Sequence, residues 1–186
     1  MRTFIAIDLD KKIKEDLTRL IDTIDKEKKS VKWVNLSGMH LTLKFLGEIS
    51  MEKSQEVESL MNDIIKSHSS FPMRIIGTGT FPKNSKYPRV LWVGIEESQQ
   101  LSNLHLHIEN ELERRIHFPK ENRRFHPHLT LGRVKSNFRL NSILTELNKH
   151  KNRIFGEMQV ETITFFKSTL KPTGAEYEAL KEFHLK

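Results

Sequence analysis

The chain of 186 residues carries 31 Lys and Arg against 24 Asp and Glu, a net charge of +7, with 37% hydrophobic residues and no cysteine. This balance excludes a disordered chain, disulfides, thiolate nucleophiles and sulfur-ligated metal, and no apolar run approaches the roughly 18–20 residues that cross a bilayer. The basic surplus favours a phosphate-bearing partner. One basic residue ahead of a short apolar run that breaks at an aspartate makes a poor signal peptide, so a cytoplasmic protein is expected.

In chain order, residues 2–9 (RTFIAIDL) alternate as a strand does. Residues 11–29 place Ile13, Leu17, Leu20, Ile21 and Ile24 at helical spacing between charges. VKWV and HLTLKFLGEI read as strands, followed by a helix over residues 51–68 through Val57, Leu60, Met61, Ile64 and Ile65. Strands at FPMRIIGTGTF and RVLWVGI flank the surface loop PKNSKYP, and a third helix spans about residues 98–115. HLTLGRV is a strand and residues 139–150 a short helix. FGEMQVETITFFKSTL is expected as one strand and AEYEALKEFHLK as another. Strands outnumber helices and several are adjacent in sequence, which points to an α+β fold with largely antiparallel sheets.

The tetrapeptide HLTL occurs twice, at residues 40–43 and 128–131, about half the chain apart. Strand side chains alternate faces, so His40 and Thr42 share one side, as do His128 and Thr130. Leu41, Leu43 and Phe45, and likewise Leu129 and Leu131, take the other side and supply the core. Lys44 falls on the His40 face, where it is either solvated or a phosphate contact. Two such strands facing across a groove would bring together two imidazoles and two hydroxyls.

That set suits phosphoryl transfer without a metal. One imidazole can accept a proton from water while the other gives one to the leaving oxygen, and the hydroxyls can donate to the phosphate. The rival is a metal site, yet two histidines without a third ligand at suitable spacing make a poor one. His126, in a turn before Pro127, is expected to be structural, and the remaining histidines carry no assigned chemistry.

At these residues the chain resembles the two-histidine (2H) phosphoesterases, most closely the RNA 2′,3′-cyclic phosphodiesterase group, also called LigT-like or 2′-5′ RNA ligase proteins. The resemblance covers RTFIAIDL, VKWVNLSGMHLTLKFLGEI, YPRVLWVGI, RFHPHLTLGRV and FFKSTLKPTGAEYEALKEFHL. It implies one bilobal, pseudo-twofold domain over residues 1–186, with two helix-backed antiparallel sheets and the site in the groove between them. The implied reaction is metal- and cofactor-free hydrolysis of a 2′,3′-cyclic phosphate to a 2′-phosphomonoester, with reversible 2′-5′ joining of RNA ends. His40 is then the proton donor, His128 the proton acceptor, and Thr42 and Thr130 the phosphate contacts. RNA termini or nucleoside 2′,3′-cyclic phosphates are the implied substrates, and a monomer is expected.

Arg133 matches a family arginine and is a further substrate-binding candidate. A regular strand puts it on the face away from His128, so it meets phosphate only if the strand twists or bulges after Gly132, the alternative being a salt bridge. Trp33 is open between stacking on a base and packing. A noncatalytic RNA-end-binding module, and an esterase for small nucleotide or ADP-ribose cyclic phosphates, are the alternatives.

Overall fold

The computed structural model describes residues 1–172 and 174–186. Strand β1 (Arg2–Asp8) leads into α1 (Lys11–Ile24), then β2 (Val31–Trp33), one 3-10 turn (Leu36–Gly38), β3 (His40–Glu48) and α2 (Met51–Ile65). There follow β4 (Phe71–Phe81), β5 (Val90–Ile95), α3 (Gln99–Ile116), β6 (His128–Val134), α4 (Leu140–Asn148), β7 (Ile154–Val160), β8 (Thr162–Lys171) and β9 (Gly174–His184).

The helices form where the apolar spacing demands them. In α1 the buried side chains are Ile13, Leu17, Leu20, Ile21 and Ile24. The helix stops at Ile24, short of residue 29, because the lysine-rich stretch beyond offers nothing to bury. Asp25 instead turns its carboxylate to Trp33 Nε1 (2.9 Å) and to the Lys28 amide (3.1 Å). Ser50 and Ser98 cap α2 and α3, their hydroxyls accepting from the amides of Lys53 and Leu101.

The strands form two antiparallel sheets, ordered β3-β1-β8-β9 and β2-β6-β5-β4-β7. Helices α2 and α3 lie against the first sheet, α1 and α4 against the second. Laying β3-β1-β8-β9 over β6-β5-β4-β7 makes each H-x-T strand the neighbour of an equivalent partner, β1 or β5. The α+β expectation holds. One strand does not survive: FGEMQVETITFFKSTL is interrupted at Glu161. β7 pairs with β4 in one sheet, whereas β8 pairs with β1 and β9 in the other. No glycine or proline marks that crossing, and its trace in the sequence is a one-residue slip of the apolar alternation, from Met158 and Val160 to Ile163 and Phe165.

Candidate active site

Paired residues of neighbouring strands share a face, so the register shows what lines each sheet. In the first sheet Asp8 pairs with His40, Ala6 with Thr42 and Phe4 with Phe45. The opposite face carries Thr3, Ile5, Ile7, Leu41 and Leu43, all buried. In the second sheet Gly94 pairs with His128, Trp92 with Thr130 and Val90 with Arg133. Each strand therefore places its histidine and threonine together on one face, as the period-two reading requires.

Both strands then depart from regularity at the same point. Where β1 steps from Ala6 to Ile5, its partner advances from Thr42 to Lys44, leaving Leu43 as an extra residue. Where β5 steps from Trp92 to Leu91, its partner advances from Thr130 to Gly132, leaving Leu131 extra. A bulge of this kind reverses the alternation that follows it. Two sequence expectations change accordingly, and a third, that of Arg133, meets its condition.

Lys44 leaves the His40 face and is buried, 3% exposed, with Nζ 2.8 Å from Glu109 Oε1 and donating to the Pro119 carbonyl (2.8 Å). It is neither solvated nor a phosphate contact. Phe45 is not core: it is 45% exposed on the site face, with the Arg2 guanidinium 4.8 Å from its ring centroid. Arg133 comes round to the face of His128 and Thr130, where its charge acts on His128. Trp33 pairs with Gly132 on the other face, its ring against the position a Gly132 Cβ would occupy, and bonds Asp25. It packs rather than lining the site.

Aromatic rings enclose each imidazole. His40 stacks on Phe4 (4.7 Å between centroids) and on Phe166 (5.8 Å), and meets Tyr177 edge-on (5.1 Å). His128 meets Phe81 (5.0 Å), His126 (6.1 Å) and Trp92 (6.3 Å). Burial disfavours the charged imidazolium, pulling His40 from 6.5 to about 4, only partly offset by the Asp8 carboxylate and the Ser37 backbone. It also lowers His128, against the opposing pull of its bond to the His126 carbonyl.

The two rings differ in hydrogen bonding. His128 Nδ1 lies 2.7 Å from the His126 carbonyl oxygen. A carbonyl only accepts, so Nδ1 carries the proton and a neutral ring leaves Nε2 as an acceptor. His126 contributes this through its backbone. His40 Nδ1 is buried without a hydrogen-bond partner; the Ser37 backbone is near enough to favour protonation, yet makes no such bond.

The two faces look into a common space. Strands β3 and β6 touch, and Arg133 of the second sheet acts electrostatically on the Tyr177 hydroxyl of the first, as does Arg2. The described ion pairs engage outer cations, such as Arg74 with Glu157 and Arg115 with Asp63, and none engages Arg2, Lys32 or Arg133. Lys32 pairs with Arg133 in register and so shares its face. Uncompensated cations around two neutral imidazoles and two threonines make a receptor for an anion. A cavity of about 220 Å³ opens beside it, lined in part by Trp92, Gly94, His126 and Lys151. A larger hollow of about 340 Å³, bounded by His105, Arg123 and Phe125, contains neither H-x-T.

A model of LigT-like phosphoesterases matches residues 7–92 and 93–177, one H-x-T in each match. The chain belongs to the LigT-like phosphoesterase family. A Methanocaldococcus jannaschii relative named RNA 2′,3′-cyclic phosphodiesterase is 37% identical over 183 residues, 98% of this chain and 100% of its own. A Methanothermobacter thermautotrophicus relative of the same name is 31% identical over 185 residues, 100% and 99% of the two chains. A Thermus thermophilus crystal structure aligns at a TM-score of 0.83 with 29% identity, covering 100% of this chain and 98% of its own. Escherichia coli LigT complexed with 3′-AMP aligns at 0.78 with 26% identity, covering 99% and 97%. No helix of the described residues is long and apolar enough to cross a membrane.

Proposed function

We propose that this protein is an RNA 2′,3′-cyclic phosphodiesterase, a single bilobal domain that works as a monomer in the cytoplasm and hydrolyses the cyclic phosphate to a 2′-phosphomonoester. The observation that carries the reading is the pair of ring-enclosed imidazoles, each with a threonine two residues on, in one groove with the unpaired Arg2 and Arg133. The names of its relatives support the substrate class.

Water attacks phosphorus and the P–O3′ bond breaks. His128, with Nδ1 committed to the His126 carbonyl, takes the water proton on Nε2. His40 gives its proton to O3′ as that oxygen departs. Burial holds the His40 pKa at about 4, so before substrate binds the ring is neutral at pH 7. The entering phosphodiester anion favours its protonated form, and so arms the acid only when substrate is bound. Thr42 and Thr130 donate to the non-bridging oxygens, and Arg133 balances their charge. A 5′-hydroxyl in place of water would give a 2′-5′ linkage by the same displacement.

The test is turnover of an RNA oligomer ending in a 2′,3′-cyclic phosphate. His40→Ala and His128→Ala are each expected to lose roughly 10²–10⁴ in kcat, while the wild type stays fully active in EDTA and yields only the 2′-phosphate. Full activity in either variant, or a 3′-phosphate product, contradicts the reading. Faster turnover of mononucleotides, with no steep salt dependence on RNA, would reassign the substrate to small cyclic phosphates.

A further inference from the structure

Tyr177 belongs to β9, three strands from β3 in the order β3-β1-β8-β9. Flat strands about 4.8 Å apart would hold it far from His40. In register Tyr177 pairs with Ser168, and Ser168 with Arg2, a row well along the sheet from the Asp8–His40 pair. Yet its ring centroid is 5.1 Å from that of His40 and 5.7 Å from that of Phe4, edge-on to both.

The β8–β9 hairpin therefore curls over the site face instead of continuing the plane of the sheet. A register shift between Phe165 and Phe166 marks where the curl begins. The curl brings β9 against the 3-10 turn that precedes His40, where Tyr177 Cε2 would lie 3.4 Å from a Cβ added to Gly38. The ring closes the side of the His40 enclosure left open by Phe4 and Phe166. Its hydroxyl stands in the field of Arg2 from its own sheet and of Arg133 from the other. A protonated phenol in the field of two guanidinium groups that no described ion pair engages is placed to donate to an anion they attract.

We propose that Tyr177 is a third hydroxyl donor to the substrate phosphate, delivered over the groove by the β8–β9 hairpin and acting alongside Thr42 and Thr130. This rests on the reading of the groove as a cyclic phosphodiester site. The phenol keeps its proton throughout. It stabilises charge gathering on a non-bridging oxygen, while its ring keeps water from His40. Neither role follows from the H-x-T pattern, because Tyr177 lies far along the chain from both histidines.

Tyr177→Phe keeps the ring and removes only the donor. With adenosine 2′,3′-cyclic phosphate its kcat should fall about 10- to 100-fold, both limbs of the pH–rate profile staying in place. Tyr177→Ala also removes the cover, so the limb belonging to His40 should shift upward toward an ordinary imidazole. Tyr177→Phe turning over like wild type overturns the proposal, whether or not Tyr177→Ala folds. If the wild type hydrolyses no cyclic phosphate, the functional reading fails instead. Calorimetric binding of 2′-AMP then decides the donor: weaker binding by Tyr177→Phe upholds it, and equal binding overturns it.

Discussion

The two H-x-T strands share a tetrapeptide, a neighbouring-strand register and a bulge at the same offset, and they differ in what the bulge delivers. In β3 it sends Lys44 inward to Glu109 and brings Phe45 to the site face. In β6 it leaves Gly132 inside, where a Cβ would fall 2.5 Å from Val31 Cγ1, and brings Arg133 to the site face. The first copy thus faces the groove with a ring, the second with a cation. The imidazoles follow suit, one with an unpartnered buried Nδ1 and the other with Nδ1 bonded to a carbonyl. The repeated motif fixes the shared geometry, and the residues just beyond it give the two copies unlike surroundings.

The comparison can be broken most forcefully at Lys44. Its ammonium meets Glu109 and the Pro119 carbonyl, while Glu109 also accepts from the Glu121 amide, so the pair ties β3 to the segment leading into His128. Lys44→Ala strands a buried carboxylate and should cost about 3–5 kcal/mol in denaturant melts, whereas Lys44→Met with Glu109→Leu should recover most of it. A loss under about 1 kcal/mol for the single variant would show that the pair does not hold these segments.

The next test uses the more strongly enclosed imidazole. With a folded pKa of about 4 against 6.5, His40 stays neutral while the unfolded chain takes up a proton between those values. Stability present above pH 6.5 is therefore lost as pH falls toward 4, on the order of 3 kcal/mol. His40→Gln should flatten that part of the stability–pH curve, and an unchanged curve would mean that the ring titrates normally. The smallest effect is expected at Arg133: Arg133→Gln should lower kcat/KM about tenfold, roughly 1.4 kcal/mol, with most of the change in KM. No change would remove the cation from the comparison.

Much of this was legible in the sequence. Alternation and helical spacing located the helices, nearly all the strands and the two histidine–threonine pairs, because burial on one face leaves a periodic trace. What escaped was everything downstream of a break in period. Strict alternation puts Lys44 and Phe45 on the wrong faces and brings Arg133 to the site only through a bulge, because an extra residue in one strand has no composition of its own. The crossing at Glu161 leaves only a one-residue slip in the alternation, from Val160 to Ile163, with neither glycine nor proline beside it. Tyr177 reaches His40 through the curl of a hairpin, which depends on tertiary packing.

That crossing has a consequence for synthesis. β1 leaves the ribosome shortly before one neighbour, β3, but well over a hundred residues before the other, β8, at residues 162–171. The first sheet thus waits with an open edge along β1 until residue 171 has emerged, and the Phe166 and Tyr177 rings that enclose His40 arrive long after the imidazole itself.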